Sequence, residues 1–474
     1  MAATTYTHTA LAMSFDTPYP LTPAQAASFA SDGFLILTDV LSQPEVADLQ
    51  AWAGEVQTWP SRRGQHMPYT EVRADGSVGL CRTENYANYH AGFGGLFRGQ
   101  RLTGILSELM GEPAVLFKEK INYKEPGGSG GFDAHIDASA YNHAGAVKHT
   151  TFLMAVDAMD LANGCLEVVV GSHRETIPLA ANRCIDPEWE KNATWTPVPL
   201  PAGALLVFGS YLAHRSGPNS SPRARAAIYA TYNGISEGDK HDAYYAHRRA
   251  AWPPSDERVP GVDYTEGALT YAYGSPMTGG TALIDAKLAA DKVDGVMRLM
   301  EAQGEADYIG ERISQLQHAL QAAHAAQAAG ADEPTVVAAL LHDIGQFVRS
   351  GEVMLVDGAS VGNKAHEELG AAYLASLGFP AAVTDLVGAH VVAKRYLTAT
   401  RAGYLASLST ASKLSLQCQG GPFTPAEVEQ FEADPLGQKK VALRIWDDEA
   451  KVVGLDVPGL ESYREMMVRV LASK

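Results

Sequence analysis

The chain has 474 residues, 46% of them hydrophobic, and a formal net charge of −17. The length suits two domains with separate cores, and the acidic balance argues against a nucleic-acid partner, whose phosphates require a basic face. Cys81, Cys165, Cys184 and Cys418 form no CxxC pair, and the first twenty residues show neither a basic start nor an apolar run. A soluble protein of the reduced cytoplasm, with no membrane span, is therefore expected, with its oligomeric state open.

Residues 1–20, rich in Thr, Ala and Pro, read as an arm over a first domain that spans 21–271. LTPAQAASFASDGFLILTDVLS then reads as helix, strand and helix. From about 115 to 235, short β-rich runs with Gly and Pro breaks predict a double-stranded β-helix, a jelly-roll-like barrel with flanking helices. Within it, GGFDAHIDASAY holds His135-x-Asp137, and a strand-like run into LAHRSGPN brings His214 about eighty residues later. Two imidazoles and one carboxylate make the facial triad of non-haem Fe(II) oxygenases, which leaves three coordination positions open. In LFKEKINYKEPGG, Lys120 and Asn122 alternate onto one strand face, either toward a cosubstrate or toward solvent. Arg225, Ala227 and Tyr229 share a face in the same way, with Arg223 two residues earlier as the alternative cation. Residues 236–271, rich in Tyr, Pro and charge, read as a lid or a packed tail, and 272–288 as a linker.

From 289 to 474, Ala, Leu and Gln at helical period predict an all-α bundle, with Gly330, Gly378 and the FTPAE string at 423–427 marking helix ends and starts. His318, His342, His366 and His390 stand 24 residues apart, a spacing that suits a helix, a loop and part of the next helix. The string AALLHDIGQF carries His342 and Asp343 into an apolar helix, where such polarity is costly unless a metal or another partner meets it. Glu311, Gln315 and His318 fall at i, i+4 and i+7, on one helix face. Lys394 follows His390 by one turn and Arg444 precedes Asp447 by one turn. These cations either bind an oxyanion substrate or neutralise carboxylate ligands.

On HxD, the His214 run, and the segments at 116–128 and 163–173, residues 20–255 resemble the phytanoyl-CoA dioxygenase-like family. Within it they are most similar to members that hydroxylate 2-aminoethylphosphonate or its trimethylammonium analogue, and more distantly to ectoine hydroxylases. The resemblance implies Fe(II) on His135, Asp137 and His214, and 2-oxoglutarate held by Arg225, with Lys120 and Asn122 near it. From Tyr308 to Val470 the chain resembles HD-domain metalloproteins, with His318, His342, Asp343, His366, His390 and Asp447 as six ligands and Asp343 bridging two metals. Tyr308 and Glu311 carry a finer resemblance, to the HD subgroup that uses O2 at a mixed-valence Fe(II)/Fe(III) centre, and in particular to its phosphonate-cleaving members. There the tyrosine and glutamate gate the open iron, while Lys394, Arg444 and Gln315 are implied in holding a phosphonate. Gln346 departs from that group, where a histidine is expected.

Together the two resemblances imply a bifunctional enzyme. The first site would hydroxylate 2-aminoethylphosphonate and the second would cleave the hydroxylated product to glycine and phosphate, with the tether raising the intermediate's effective concentration. Two alternatives stay open. One is the N-trimethyl substrate, giving glycine betaine, with Tyr86, Tyr89 and Tyr141 as an aromatic cage. The other is a dioxygenase fused to an HD phosphohydrolase.

Overall fold

The computed structural model describes residues 15–73, 75–140, 148–305, 312–348, 353–356 and 359–473, with the side chains of 353–362 and Ala411 left aside. It divides into two compact units, Met1–Asp285 and Ala286–Lys474. The boundary falls inside the helix Gly280–Gln303. The stretch 272–288, expected as a linker, thus splits between the first unit's tail and the start of that helix. No helix among the described residues is long and apolar enough to cross a membrane, and all four cysteines are free thiols.

Among the described residues the first unit has eleven strands: β1 (Phe34–Leu37), β2 (Met67–Val72), β3 (Val78–Glu84), β4 (Ala114–Lys124), β5 (Phe132–His135), β6 (His149–Ala155), β7 (Leu166–Val168), β8 (Thr196–Val198), β9 (Leu205–Gly209), β10 (His214–Ser216) and β11 (Arg225–Gly234). They form a seven-stranded sheet, β1-β9-β6-β11-β4-β3-β2, and a four-stranded sheet, β5-β10-β7-β8. The central strands are buried on both faces, so β6 reads HTTFLMA without polar alternation. One face packs Phe152, Ile121, Ile228 and Tyr232 against the outer helices through Leu49, Phe93 and Leu102. The other packs Leu153, Ala155, Leu206 and Tyr229 against Leu166 and Val168 of the smaller sheet. Truncating a fully buried aromatic such as Phe152 to Ala would cost about 3–5 kcal/mol. Residues 236–271 pack onto the barrel rather than hanging as a lid: the helix His241–Ala251 buries Tyr244, Tyr245 and Arg248.

Among the described residues the second unit is a helical bundle with an antiparallel strand pair, β12 (Val353–Val356) and β13 (Ala359–Asn363), that the helical periodicity did not predict. At its centre the helix Glu333–Leu341 buries Val336, Val337, Ala338, Ala339, Leu340 and Leu341. A helix apolar on all sides belongs inside a bundle. It starts where the Asp332 side chain accepts from the Thr335 N–H at 3.2 Å and ends at His342. The next turn approaches the helix His366–Leu377 so closely that a Cβ on Gly345 would lie 1.9 Å from the His366 carbonyl oxygen. Glycine is therefore required there, and the close approach brings Asp343 and His366 together.

Candidate metal centres

Three groups of imidazole and carboxylate converge among the described residues: His135, Asp137 and His214; His318, His342 and Asp447; and Asp343, His366 and His390. All nine residues predicted as ligands are in these groups, and nothing else is.

In the first unit, β5 and β10 are antiparallel neighbours with His135 and His214 directly opposite in register. Asp137 follows in a single 3-10 turn, Asp137–Ala140. The Nδ1–H of His135 donates to the Asp133 carbonyl at 2.7 Å and that of His214 to the Leu212 carbonyl at 3.0 Å. A carbonyl only accepts, so each neutral ring presents its Nε2 lone pair to the site. Those nitrogens lie 3.8 and 4.0 Å from Asp137 Oδ1. Burial and the neighbouring His214 push the His135 pKa down to about 3. Burial opposes the Asp137 charge, but His214, Lys118 and Lys120 hold its carboxyl well below the usual range. A neutral imidazole pair with an ionised carboxylate is the donor set a divalent cation needs.

Arg225 is buried, donating Nε to the Asn163 carbonyl at 3.1 Å and Nη2 to the Gly164 carbonyl. Its Nη1 is buried with no hydrogen-bond partner. An orphaned guanidinium nitrogen fits a ligand carboxylate. Arg223, the alternative cation, is exposed in the preceding loop. Gly164 has φ +73°, and a Cβ there would lie 2.3 Å from the Gly217 oxygen and 2.8 Å from Lys124 Nζ. Lys124, absent from the sequence expectations, donates to Gly164 O at 3.1 Å, Ser216 Oγ at 2.9 Å and Gly217 O at 2.5 Å.

The cavity beside His135 and Asp137 is lined by Arg82, Glu84, Lys118, Lys120, Arg248 and Tyr273, among others. Lys120 was expected and lies there. Asn122 lies beside Arg82, its Oδ1 accepting from Arg82 Nε at 2.8 Å. Arg82, Glu84, Lys118, Arg248 and Tyr273 escaped the sequence reading. The alternation Lys118, Lys120, Asn122, Lys124 along β4 was a signal for two of the missed residues, Lys118 and Lys124. Arg248 and Tyr273 come from segments read as tail and linker. Two members of the expected aromatic cage lie elsewhere. Tyr86 is fully buried against Phe93 and Phe97, and Tyr89 is 43% exposed. The hydrophobic pull of the helix packing claims the first and leaves the second outside. Tyr141 lies outside the described residues.

In the second unit the four histidines of the two groups donate Nδ1–H to backbone carbonyls: His318 to Ala450 at 2.8 Å, His342 to Ala339 at 2.8 Å, His366 to Asn363 at 3.3 Å and His390 to Val387 at 2.9 Å. Their Nε2 atoms then meet in pairs, His318 with His342 at 3.1 Å and His366 with His390 at 3.0 Å. Two facing lone pairs repel unless a cation lies between them, so the rings fit a metal in each pair. Asp343 divides between the pairs. Its Oδ2 lies 3.8 and 3.6 Å from His318 and His342, and its Oδ1 lies 3.2 and 3.5 Å from His366 and His390. Asp447 Oδ1 stands 3.3 Å from His318 Nε2 and is buried without a hydrogen bond.

The Arg444 guanidinium is largely engaged by protein. Nη1 donates to Asp447 Oδ2 at 2.7 Å, Nη2 to Asp448, and Nε to the Tyr404 hydroxyl at 3.2 Å. Of the two roles open to it in the sequence, neutralising a carboxylate ligand is the one these bonds perform. Lys394 is buried and donates to Ser415 Oγ at 3.0 Å. Burial and the nearby Arg444 lower its pKa to about 8. Gln315 sits one turn before His318 with its Oε1 buried and unpartnered, and Gln346 Oε1 accepts from the Asn363 N–H at 2.9 Å. Tyr308 and Glu311 lie outside the described residues.

A model of the phytanoyl-CoA dioxygenase (PhyH) family matches residues 29–227 and an HD-domain model matches residues 316–411. A 2-aminoethylphosphonate dioxygenase from an uncultured bacterium is 38% identical over 258 residues, covering 54% of this chain and 98% of the relative. A hydroxymethylphosphonate dioxygenase from Gimesia maris is 43% identical over 183 residues, 37% of this chain and 87% of the relative. A [1-hydroxy-2-(trimethylamino)ethyl]phosphonate dioxygenase (glycine-betaine-forming) from Leisingera caerulea is 36% identical over 179 residues, 38% of this chain and 90% of the relative. The PhyH match implies Fe(II) and 2-oxoglutarate in the first unit, and the HD match with its two ligand groups implies metal binding in the second. The chain is an oxygenase that belongs to the phytanoyl-CoA dioxygenase (PhyH) family through its first unit and joins to it, in one polypeptide, an HD domain.

Proposed function

We propose that the chain performs two successive steps of phosphonate breakdown. The first unit hydroxylates 2-aminoethylphosphonate at the carbon next to phosphorus, consuming 2-oxoglutarate and O2 and releasing succinate and CO2. The second consumes another O2 and cleaves the C–P bond of 2-amino-1-hydroxyethylphosphonate, giving glycine and phosphate. The observation that carries this reading is the division of Asp343 between two histidine pairs. It supports a two-metal centre; iron in the mixed-valence Fe(II)/Fe(III) state follows from the resemblance, and the names of the relatives suggest the order of the two reactions.

Iron at the two centres supplies oxygen activation and hydrogen abstraction. The chain's own residues do the rest. Arg225 takes the distal carboxylate of the 2-oxoglutarate cosubstrate on its unpartnered Nη1. Backbone carbonyls hold all six histidine tautomers before any metal arrives, so no reorganisation is needed on binding. Arg444 orients Asp447, and Lys394 offers its ammonium to the phosphonate oxygens. Tyr308 and Glu311 keep the gating role that the resemblance implies. A second substrate reading, the N-trimethyl analogue, draws on the tyrosines of the first cavity, Tyr244, Tyr271 and Tyr273, since aromatic faces suit a quaternary ammonium.

Phosphorus NMR tests the reading. With Fe(II), 2-oxoglutarate and air, 2-aminoethylphosphonate should give the hydroxyphosphonate and then phosphate. Supplied 2-amino-1-hydroxyethylphosphonate should release phosphate in air and none under argon. Release under argon would mean a phosphohydrolase and would overturn the oxygenase assignment of the second unit. Running the N-trimethyl substrate in parallel ranks the two amines.

A further inference from the structure

The inner face of β4 carries Lys118, Lys120, Asn122 and Lys124 in alternation, and it serves two different ends of the barrel. At one end Lys124 is in register with Arg225, and both side chains bond to the Gly164 carbonyl. That end holds the unpartnered Arg225 nitrogen. Four residues away, roughly 13 Å along a strand, Lys120 is in register with Tyr229 on one side and Glu84 on the other. This end borders the cavity that reaches His135 and Asp137.

The charges lining that cavity do not balance. Arg82, Lys118, Lys120 and Arg248 face two carboxylates, Glu84 and Asp137. Glu84 is shared: Arg82 Nη1 reaches its Oε1 at 3.3 Å and Arg248 Nη2 reaches the same oxygen at 2.7 Å. Asp137 faces the two metal-site histidines. The Lys120 ammonium lies 5.0 Å over the Tyr229 ring, a weaker partner than a carboxylate. The lining thus carries more cations than carboxylates beside the candidate iron site, and a bound dianion would offset that positive charge.

We infer that Lys120 and Arg82, with Lys118 adding charge behind them, seat the substrate's phosphonate dianion in the first unit, in a subsite distinct from the Arg225 seat for 2-oxoglutarate. The inference rests on the proposed hydroxylation for the identity of the substrate, and on the cavity alone for the class of ligand. It gives Lys120 to the substrate, not the cosubstrate. Burial, Arg82 and Lys118 together hold the Lys120 ammonium well below the usual lysine pKa, a penalty that an arriving dianion would relieve.

The test compares full-length wild type, Lys120→Met and Lys120→Arg. One readout is a pair of KM values, for the aminophosphonate substrate and for the cosubstrate, in O2-dependent 2-oxoglutarate decarboxylation, a reaction of the first unit alone. The other is calorimetric binding of methylphosphonate, inorganic phosphate and acetate under argon, with Fe(II) and 2-oxoglutarate present. Sites in the second unit contribute equally to all three proteins, so the differences report the first cavity. Lys120→Met should raise the phosphonate KM and weaken a methylphosphonate binding event by about ten- to a hundredfold in affinity. The 2-oxoglutarate KM should stay within about twofold, acetate should bind far more weakly than methylphosphonate, and Lys120→Arg should recover most of the loss. A rise in the 2-oxoglutarate KM instead, or unchanged phosphonate binding in a Lys120→Met protein with wild-type melting, would overturn the subsite. Wild type that binds methylphosphonate but turns over no phosphonate would sink the proposed reaction and leave the subsite standing. Wild type that binds no phosphonate under argon would sink the subsite.

Discussion

The two units gather the same donors by different means. In the first, two histidines stand opposite each other on paired strands and one aspartate follows in the adjoining turn, so three residues close one site. In the second, six residues from separate helices and turns close two sites, and Asp343 belongs to both. A strand pair sets its ligands through backbone hydrogen bonds within a few residues of each other. A bundle sets them through core packing across about 130 residues, from His318 to Asp447. The first site should therefore fail one ligand at a time, and the second should fail collectively at its shared member.

The sharpest way to break this comparison is to remove the shared carboxylate. Asp343→Ala should lower iron content from three to one per chain and abolish phosphate release, while hydroxylation continues and 2-amino-1-hydroxyethylphosphonate accumulates. His135→Ala should do the reverse, losing one iron and hydroxylation but keeping cleavage of supplied hydroxyphosphonate. Metal analysis with phosphorus NMR reads both, and normal phosphate release by Asp343→Ala would end the two-metal reading.

The supporting arginines sharpen the contrast at smaller amplitude. Arg225→Ala should raise the 2-oxoglutarate KM about ten- to a hundredfold, the equivalent of roughly 1.5–3 kcal/mol for a charge-assisted bond, and exposed Arg223→Ala should change it less than twofold. Arg444→Met frees Asp447 to turn away. Metal affinity should fall about 10–100-fold, as for other second-layer partners, in the pocket of His318, His342 and Asp447 alone. A metal titration that resolves two steps, one weakened and one unchanged, is the expected result. Equal weakening of both steps would assign Arg444 to the whole centre.

The smallest expected effect is a pH dependence of the first unit's cavity wall. His241 opens the helix that carries Tyr244 and Arg248, and its Nε2 lies 2.8 Å from buried Glu119. Burial opposes protonation, but the Glu119 hydrogen bond and charge outweigh it and raise the His241 pKa. A raised folded-state value adds stability that is complete below the unfolded histidine pKa of about 6.5 and is lost as pH rises through the folded value. The melting-temperature difference between wild type and His241→Gln should be largest near pH 6, roughly 2–4 °C per kcal/mol for a unit of this size. It should shrink as pH rises. A difference that grows with pH would remove the ion pair from the account.

Much of both sites was legible because ligand chemistry imposes spacing. HxD puts two donors on one short turn, and the apolar run before His342-Asp343 is improbable without a metal. Arg225 and Arg223 both stood open as the cation, and it is the structure that separates them, burying Arg225 at the start of β11 and leaving Arg223 exposed in the loop before it. Less legible were groups whose role depends on who packs beside them. Arg82 and Glu84 lie in VGLCRTE, where nothing local marks either. Arg248 lay in HRRAAW and Tyr273 in a presumed linker, with nothing local to mark either as cavity lining. Tyr86 and Tyr89 were expected as cage members, yet helix packing buried one in the core and left the other at the surface.

The sequence by itself determined the chemical inventory: which donors exist, which helices and strands carry them, and that two unrelated metal motifs share one chain. Those properties follow from residue type and short-range periodicity, which no partner alters. Tertiary structure alone decided allocation. It turned the Arg444 fork onto Asp447 and Asp448, gave each oxygen of Asp343 its own histidine pair, and set Lys120 beside the cavity of His135 and Asp137 and Lys124 at the other end of β4. The reason is that a long side chain reaches several partners within one turn or one strand step. Only the positions of all the neighbours, set by packing across the whole unit, choose among them.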